Sequence, residues 1–153
     1  MSTVTITLQH ERARPPTLAR FLPRFVGSEN ERRKLTLTPE LAAWLSKPVT
    51  SENLTKVKAE ARVHLGQFVK GEKIDDRDFM KRVEDRRARP PSFSHEVWSI
   101  RPRFEQPQYR YFGVFITQDW FLVCTKQERK KLAESENRWH AEIDKTLRVF
   151  GHF

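Results

Sequence analysis

Residues 96–125, EVWSIRPRFEQPQYRYFGVFITQDWFLVCT, decide the fold. They hold three apolar runs, 96–104, 109–117 and 120–125, rich in the Val, Ile, Phe, Trp and Tyr that strands favour. Gln118-Asp119 has the length of a tight hairpin turn, and Glu105-Gln106-Pro107 suits a slightly longer connection. Strands joined this closely form an antiparallel meander. Downstream, Leu132, Glu136, Trp139, Ile143, Leu147 and Phe150 recur at helical spacing, predicting a last helix that lies across the sheet and ends at Gly151.

Upstream the texture is different. Val4, Ile6 and Leu8 alternate with Thr3, Thr5 and Thr7, as in a half-buried strand, until Pro15 and Pro16 end it. Residues 17–37 give no clear element, although Arg32, Arg33 and Lys34 form a small basic cluster. Thr38-Pro39-Glu40 starts a short helix carrying Leu41, Trp44 and Leu45, with Thr38 as N-cap. Ser51 caps a longer one, on which Leu54, Val57, Ala61, Leu65 and Phe68 share a face until Lys70-Gly71. A further helix is expected over 76–87, running into a surface linker with Arg86, Arg87 and Arg89. Strand, helices, three strands and a helix predict an α+β fold, a small antiparallel sheet of the N-terminal strand plus the meander, packed with helices. A length of 153 residues suits one domain, with 1–50 as an N-terminal strand and helical or loop extension and 51–153 as the helices, meander and C-terminal helix.

Composition narrows the function. The formal charge is +9, and residues 1–94 carry most of the excess, which favours an anionic partner such as nucleic acid, a membrane surface or an acidic protein. No apolar stretch is long enough for a signal peptide or a spanning helix, so a cytoplasmic protein without membrane association is expected. Cys124 is the only cysteine and sits in an apolar run, as a buried thiol would. Five scattered histidines offer no metal-ligand spacing, and no glycine-rich phosphate loop occurs, so neither metal nor cofactor is expected.

Arginines inside the strand runs carry the functional expectation. Arg101 and Arg103 alternate on one face of the first meander strand, and Arg110 shares a face with Phe112 and Val114 on the second. A charge in line with core residues is costly unless it meets a partner or a ligand, and guanidinium suits phosphate. Antiparallel order brings the end of the first strand, the start of the second and the end of the third together, so Arg101, Arg103, Arg110 and Lys126 are expected in one concave patch. Tyr109 and Tyr111 beside them are candidate stacking rings, and Arg129, Lys130 and Lys131 extend the charge. The competing reading is a structural network in which the arginines pair with Glu96, Glu105 or Glu128.

The segment VWSIRPRFEQPQYRYFGVFITQDWFLVCTKQERKKL, followed by a helix with W-x-x-E-I, resembles the RelE/HigB superfamily of toxin–antitoxin ribonucleases over residues 95–150. That resemblance implies a small RelE-like α+β protein that cuts mRNA, often on the ribosome, by 2′-hydroxyl attack without a metal, and is neutralised by an antitoxin. It places the basic strand residue on Arg101, the second-strand arginine on Arg110 and the basic turn on Lys126, Arg129 and Lys130. Arg110 and Arg101 would stabilise charge, Lys126 would position phosphate, and either Tyr109 or His140 would transfer a proton; Arg103, Tyr111, Arg129, Lys130 and Lys131 would bind RNA. The chain departs from the family in its greater length and in Ser99, where some members carry lysine. A site of arginines alone lacks a base, which keeps open a noncatalytic nucleic-acid-binding module or an interaction protein of a phage or mobile element.

Overall fold

The structure is a computed structural model that describes residues 18–20, 31–73, 79–87 and 95–153. The strand expected at Thr3–Leu8 lies outside the described residues, as does Arg89. The elements in order are β1 (Ala19–Arg20), β2 (Lys34–Leu37), α1 (Pro39–Ser46), α2 (Glu52–Val69), β3 (Met80–Arg82), β4 (Trp98–Ile100), β5 (Tyr109–Thr117), β6 (Trp120–Glu128), α3 (Arg129–Leu132) and α4 (Glu136–Phe150). The strands form one sheet in the order β1-β2-β6-β5-β4-β3. The class is α+β, and β4, β5 and β6 make the expected antiparallel meander.

Three expectations need correction. The sheet is mixed, because β2 joins β6 in parallel, with Leu35 opposite Phe121 and Leu37 opposite Val123. Leu35 and Leu37 alternate with Thr36, a period-two signal inside a stretch that the sequence left unplaced. The helix expected over 76–87 is replaced by β3, which pairs with β4 through Met80 opposite Ile100; residues 83–86 continue outside any helix. Finally, β4 stops at Ile100, so Arg101 and Arg103 belong to the loop that leads to β5. Pro102 withholds a ladder donor at that point.

Helices cover both faces of the sheet. On one, α1 and α2 bring Leu41, Leu45, Leu65 and Phe68 against Leu35, Leu37, Tyr111, Phe121 and Val123. On the other, Ile143 and Leu147 of α4 pack with Leu132 on Val97, Phe112 and Val114. Local chemistry fixes the helix ends. Ser51 Oγ accepts from Leu54 N, whereas Thr38, the expected cap of α1, instead donates its hydroxyl to Cys124 O. Lys58 and Arg62, one turn apart on α2, donate to Lys47 O and Leu45 O and so satisfy the carbonyl end of α1. Gly71 ends α2 at φ +82°, where a Cβ would meet Arg32 Cβ at 2.7 Å. The basic cluster beside it is engaged: Arg32 N and Arg33 N donate to Val69 O, and the Arg33 guanidinium lies 5.0 Å from the Phe68 ring centroid.

One irregularity governs the site. The β5–β6 register runs Phe115–Phe121, Val114–Leu122 and Gly113–Val123, then resumes at Phe112–Thr125 and Tyr111–Lys126. Cys124 is the extra residue of a bulge, and side chains beyond it change faces. Thr125 therefore faces α4, where its hydroxyl meets that of Thr146 at 3.0 Å. Gly113 lies opposite the bulge, and a Cβ there would fall against the Leu122 carbonyl oxygen and 2.7 Å from Phe121 Cζ. Gly113→Ala is therefore expected to destabilise the fold by about 3 kcal/mol, measured by urea denaturation, because the obstacle is backbone and cannot rotate away.

Candidate functional site

Arg110 enters the sheet at the start of β5 on the face that carries Phe112 and Val114. Its exposure is only 3%, and its Nη1 has no hydrogen-bond partner among the described residues. Burial, and then the charges of Arg101, Arg129 and Arg103, lower its pKa from the usual arginine value to about 10. The group remains cationic at neutral pH, held where a cation is disfavoured.

Two clefts meet at this residue. The larger, about 690 Å³, is lined by Arg101, Arg103, Phe104, Gln108, Arg110, Glu128, Arg129 and Lys130. The smaller, about 440 Å³, is lined by Lys81, Arg82, Arg86, Ser99, Glu136, Trp139 and His140, and again by Arg101, Arg110 and Arg129. Three arginines thus form a saddle between the clefts. Such a saddle suits an anion, since guanidinium groups offer paired donors to phosphate or carboxylate oxygens.

The saddle is supported by carboxylates that bind backbone and neighbouring side chains. Glu60 of α2 accepts the amides of Arg103, Phe104 and Glu105 at 2.9–3.1 Å, fixing the loop that follows β4. Arg101 N donates to Phe79 O, Gln108 Nε2 donates to Arg103 O, and Arg129 N donates to Gln108 O, so both ends of the loop are tied down. At the far side, Arg87 bridges the buried carboxylate of Asp85 and Asp144 of α4. Hydrogen bonds to Asp85 and then Asp144 raise its pKa further above the ordinary arginine range. Arg87 is therefore a structural clamp, whereas Arg86 is exposed on the wall of the smaller cleft. Glu96, one of the carboxylates considered as an arginine partner, pairs with Arg82.

The expected single patch is divided between two faces. Arg101, Arg103, Arg110, Arg129 and Lys130 come together, and His140 joins them across the smaller cleft, with Nε2 3.7 Å from Glu136. Lys126, Tyr109 and Tyr111 do not. Lys126 lies over the rings of Trp44 and Tyr109 at 4.8 and 5.3 Å, on the side covered by α1, and burial lowers its pKa. Tyr111 is 2% exposed within the α1–α2 core, so it cannot stack on a ligand at the saddle. Tyr109 packs against Trp44 at 5.4 Å; burial and then Glu128 raise its pKa, which keeps the phenol protonated. The bulge at Cys124 accounts for Lys126: strict alternation from Leu122 would have set it on the Arg110 face. Lys131 is exposed and outside both clefts. Cys124 is buried with its thiol pushed up to about 12, inert as a nucleophile at neutral pH.

Glu60 and Phe104 were not singled out in the sequence, nor were Lys81 and Arg82. Pro102 and Pro107 flanking the Arg103-Phe104 pair were the available signal that this stretch is a loop. Among the described residues, no three His, Cys, Asp or Glu side chains are grouped to hold a metal ion. No protein-family model, curated protein or solved structure matches the chain.

Two outcomes follow from this geometry. Arg110→Met, which keeps the stem and removes the buried charge, should raise stability by about 1–3 kcal/mol in urea denaturation. The folded pKa lies below the unfolded one, so the wild-type penalty is full below about pH 10 and is relieved as pH rises above it. Glu60→Ala should speed hydrogen exchange at the amides of Arg103, Phe104 and Glu105 by at least tenfold, measured by NMR, with little change in α4.

Proposed function

We propose that the protein is a toxin-type endoribonuclease, resembling the RelE/HigB superfamily, which binds mRNA across the arginine saddle and cleaves it without a metal. The observation that carries this reading is the buried Arg110 guanidinium, its Nη1 without a partner among the described residues, at the junction of two cationic clefts. A polyanion in either cleft offers a counter-charge to this guanidinium, and single-stranded RNA offers phosphates that follow one another through both clefts. Within residues 95–150 the reading leans on an antiparallel meander followed by the closing helix α4.

In this reading the 2′-oxygen of one nucleotide attacks the adjacent phosphorus. The P–O2′ bond forms, the P–O5′ bond breaks, and the products are a 2′,3′-cyclic phosphate and a 5′-hydroxyl. Arg110, Arg101 and Arg129 bear the charge of the phosphorane. The imidazole of His140, on the same face, takes the 2′-hydroxyl proton, and the departing 5′-oxygen is protonated from solvent. Arg103 and Lys130 hold the flanking phosphates. An antitoxin would neutralise the enzyme by covering the saddle.

A noncatalytic RNA-binding module is the second reading, favoured by the position of Lys126, Tyr109 and Tyr111 on the opposite face. Inducible expression with mapping of mRNA ends separates the two. The enzyme reading predicts new 5′-hydroxyl ends for the wild type, about a hundredfold fewer for Arg110→Ala and His140→Ala, and RNA retention at low salt by His140→Ala. Salt-sensitive RNA binding without new ends would leave only the binding module; no RNA binding at low salt would sink both.

A further inference from the structure

We propose that Phe104 is a stacking platform for an unpaired base, so that the larger cleft receives a nucleoside as well as its phosphate. This inference rests on the nucleic-acid reading and specifies its substrate as single-stranded. Phe104 is 83% exposed, the most exposed of the large apolar side chains in the described residues. A lone exposed phenylalanine is ordinary, and exposure by itself decides nothing. What sets this ring apart is the rigidity of its backbone and its surroundings.

The Phe104 amide and those on either side of it donate to the Glu60 carboxylate, and Gln108 Nε2 holds the Arg103 carbonyl. A ring on a pinned loop loses little conformational entropy when a ligand covers it. The ring lines the same cleft as Arg110, in which five cationic side chains are accompanied by one carboxylate, Glu128. At about 690 Å³ the cleft has the volume of a small-molecule site, enough for a base beside its phosphate. An apolar residue of a partner protein would also cover Phe104, but cations around an aromatic ring favour a nucleotide, which offers a π-face and an anion together. Tyr109 and Tyr111 are committed to the other face, so among the described residues Phe104 is the aromatic ring that lines the larger cleft.

Fluorescence anisotropy at low salt tests the proposal, using a labelled single-stranded RNA dodecamer and, separately, inorganic polyphosphate as competitor. Phe104→Ala should weaken RNA binding about tenfold while leaving polyphosphate affinity unchanged, whereas Arg110→Ala should weaken both. Phe104→Trp should keep RNA affinity, and the emission it adds to that of the wild type's four tryptophans should be quenched on RNA addition but not on polyphosphate addition, a readout independent of the alanine variant's folding. Wild-type RNA affinity in Phe104→Ala, with Arg110→Ala defective, would overturn the stacking role and leave the RNA reading standing. Equal loss of RNA and polyphosphate binding in Phe104→Ala, or an unquenched Phe104→Trp, would also overturn it. Loss of binding to a polyglutamate peptide alone would assign the ring to an acidic protein partner instead. A wild type that binds no RNA would remove both proposals.

Discussion

A guanidinium buried to 3% exposure, with like charges and no hydrogen-bond partner for Nη1 among the described residues, is the constraint around which the structure is organised. Isolated buried charges are expelled or neutralised in most proteins, because the low-dielectric interior does not replace their hydration. Here the neighbouring charges make matters worse, since Arg101, Arg103 and Arg129 are all of the same sign. Folding tolerates this only because the rest of the sheet is well built. Phe112 and Val114 on the same strand are buried against α4, and Phe121, Val123 and Tyr111 are buried against α1 and α2. The stability supplied by two packed faces offsets a locally unfavourable site, a common arrangement where binding needs a prepared charge.

The acidic residues around the site show the same division of labour. Glu60 satisfies three amides of the loop after β4, while Asp85 and Asp144 clamp Arg87. Each fixes a segment that frames the clefts, and Glu96 pairs with Arg82. Cationic residues on the opposite face are used differently. Lys58 satisfies a carbonyl of α1, and both Lys58 and Lys126 lie near 5 Å from the Trp44 ring. Lysines there support the helix α1 and its aromatic packing, whereas Arg101, Arg110 and Arg129 line both clefts.

The sequence was most legible where periodicity and turn chemistry agreed. The meander, the α2 helix with its Ser51 cap and the final helix follow from local pattern, and Arg110 was identified as a charge in a core-facing position. Of the residues expected with it at the same end of the sheet, Arg101 and Arg103 line the larger cleft and Lys126 does not. What escaped was non-local. Parallel pairing of β2 with β6 joins residues far apart in the chain, and the period-two signal of Lys34–Leu37 spans only four residues. One bulged residue, Cys124, reverses the face of Lys126, and no local signal in FLVCT marks it. Tyr109 and Tyr111 were grouped with Arg110 by sequence proximity, although alternate residues of a strand point to opposite faces.

The proposed function requires the Arg110 guanidinium to respond when a phosphate enters the clefts. Side-chain ¹⁵N NMR of the arginine Nη groups, recorded while a short single-stranded RNA is titrated in, tests this at the atom concerned. The Arg110 signal should shift at the lowest RNA ratios, together with those of Arg101 and Arg129, which line both clefts with it. An Arg110 resonance that stays unchanged while exposed lysines and arginines elsewhere respond would contradict the account.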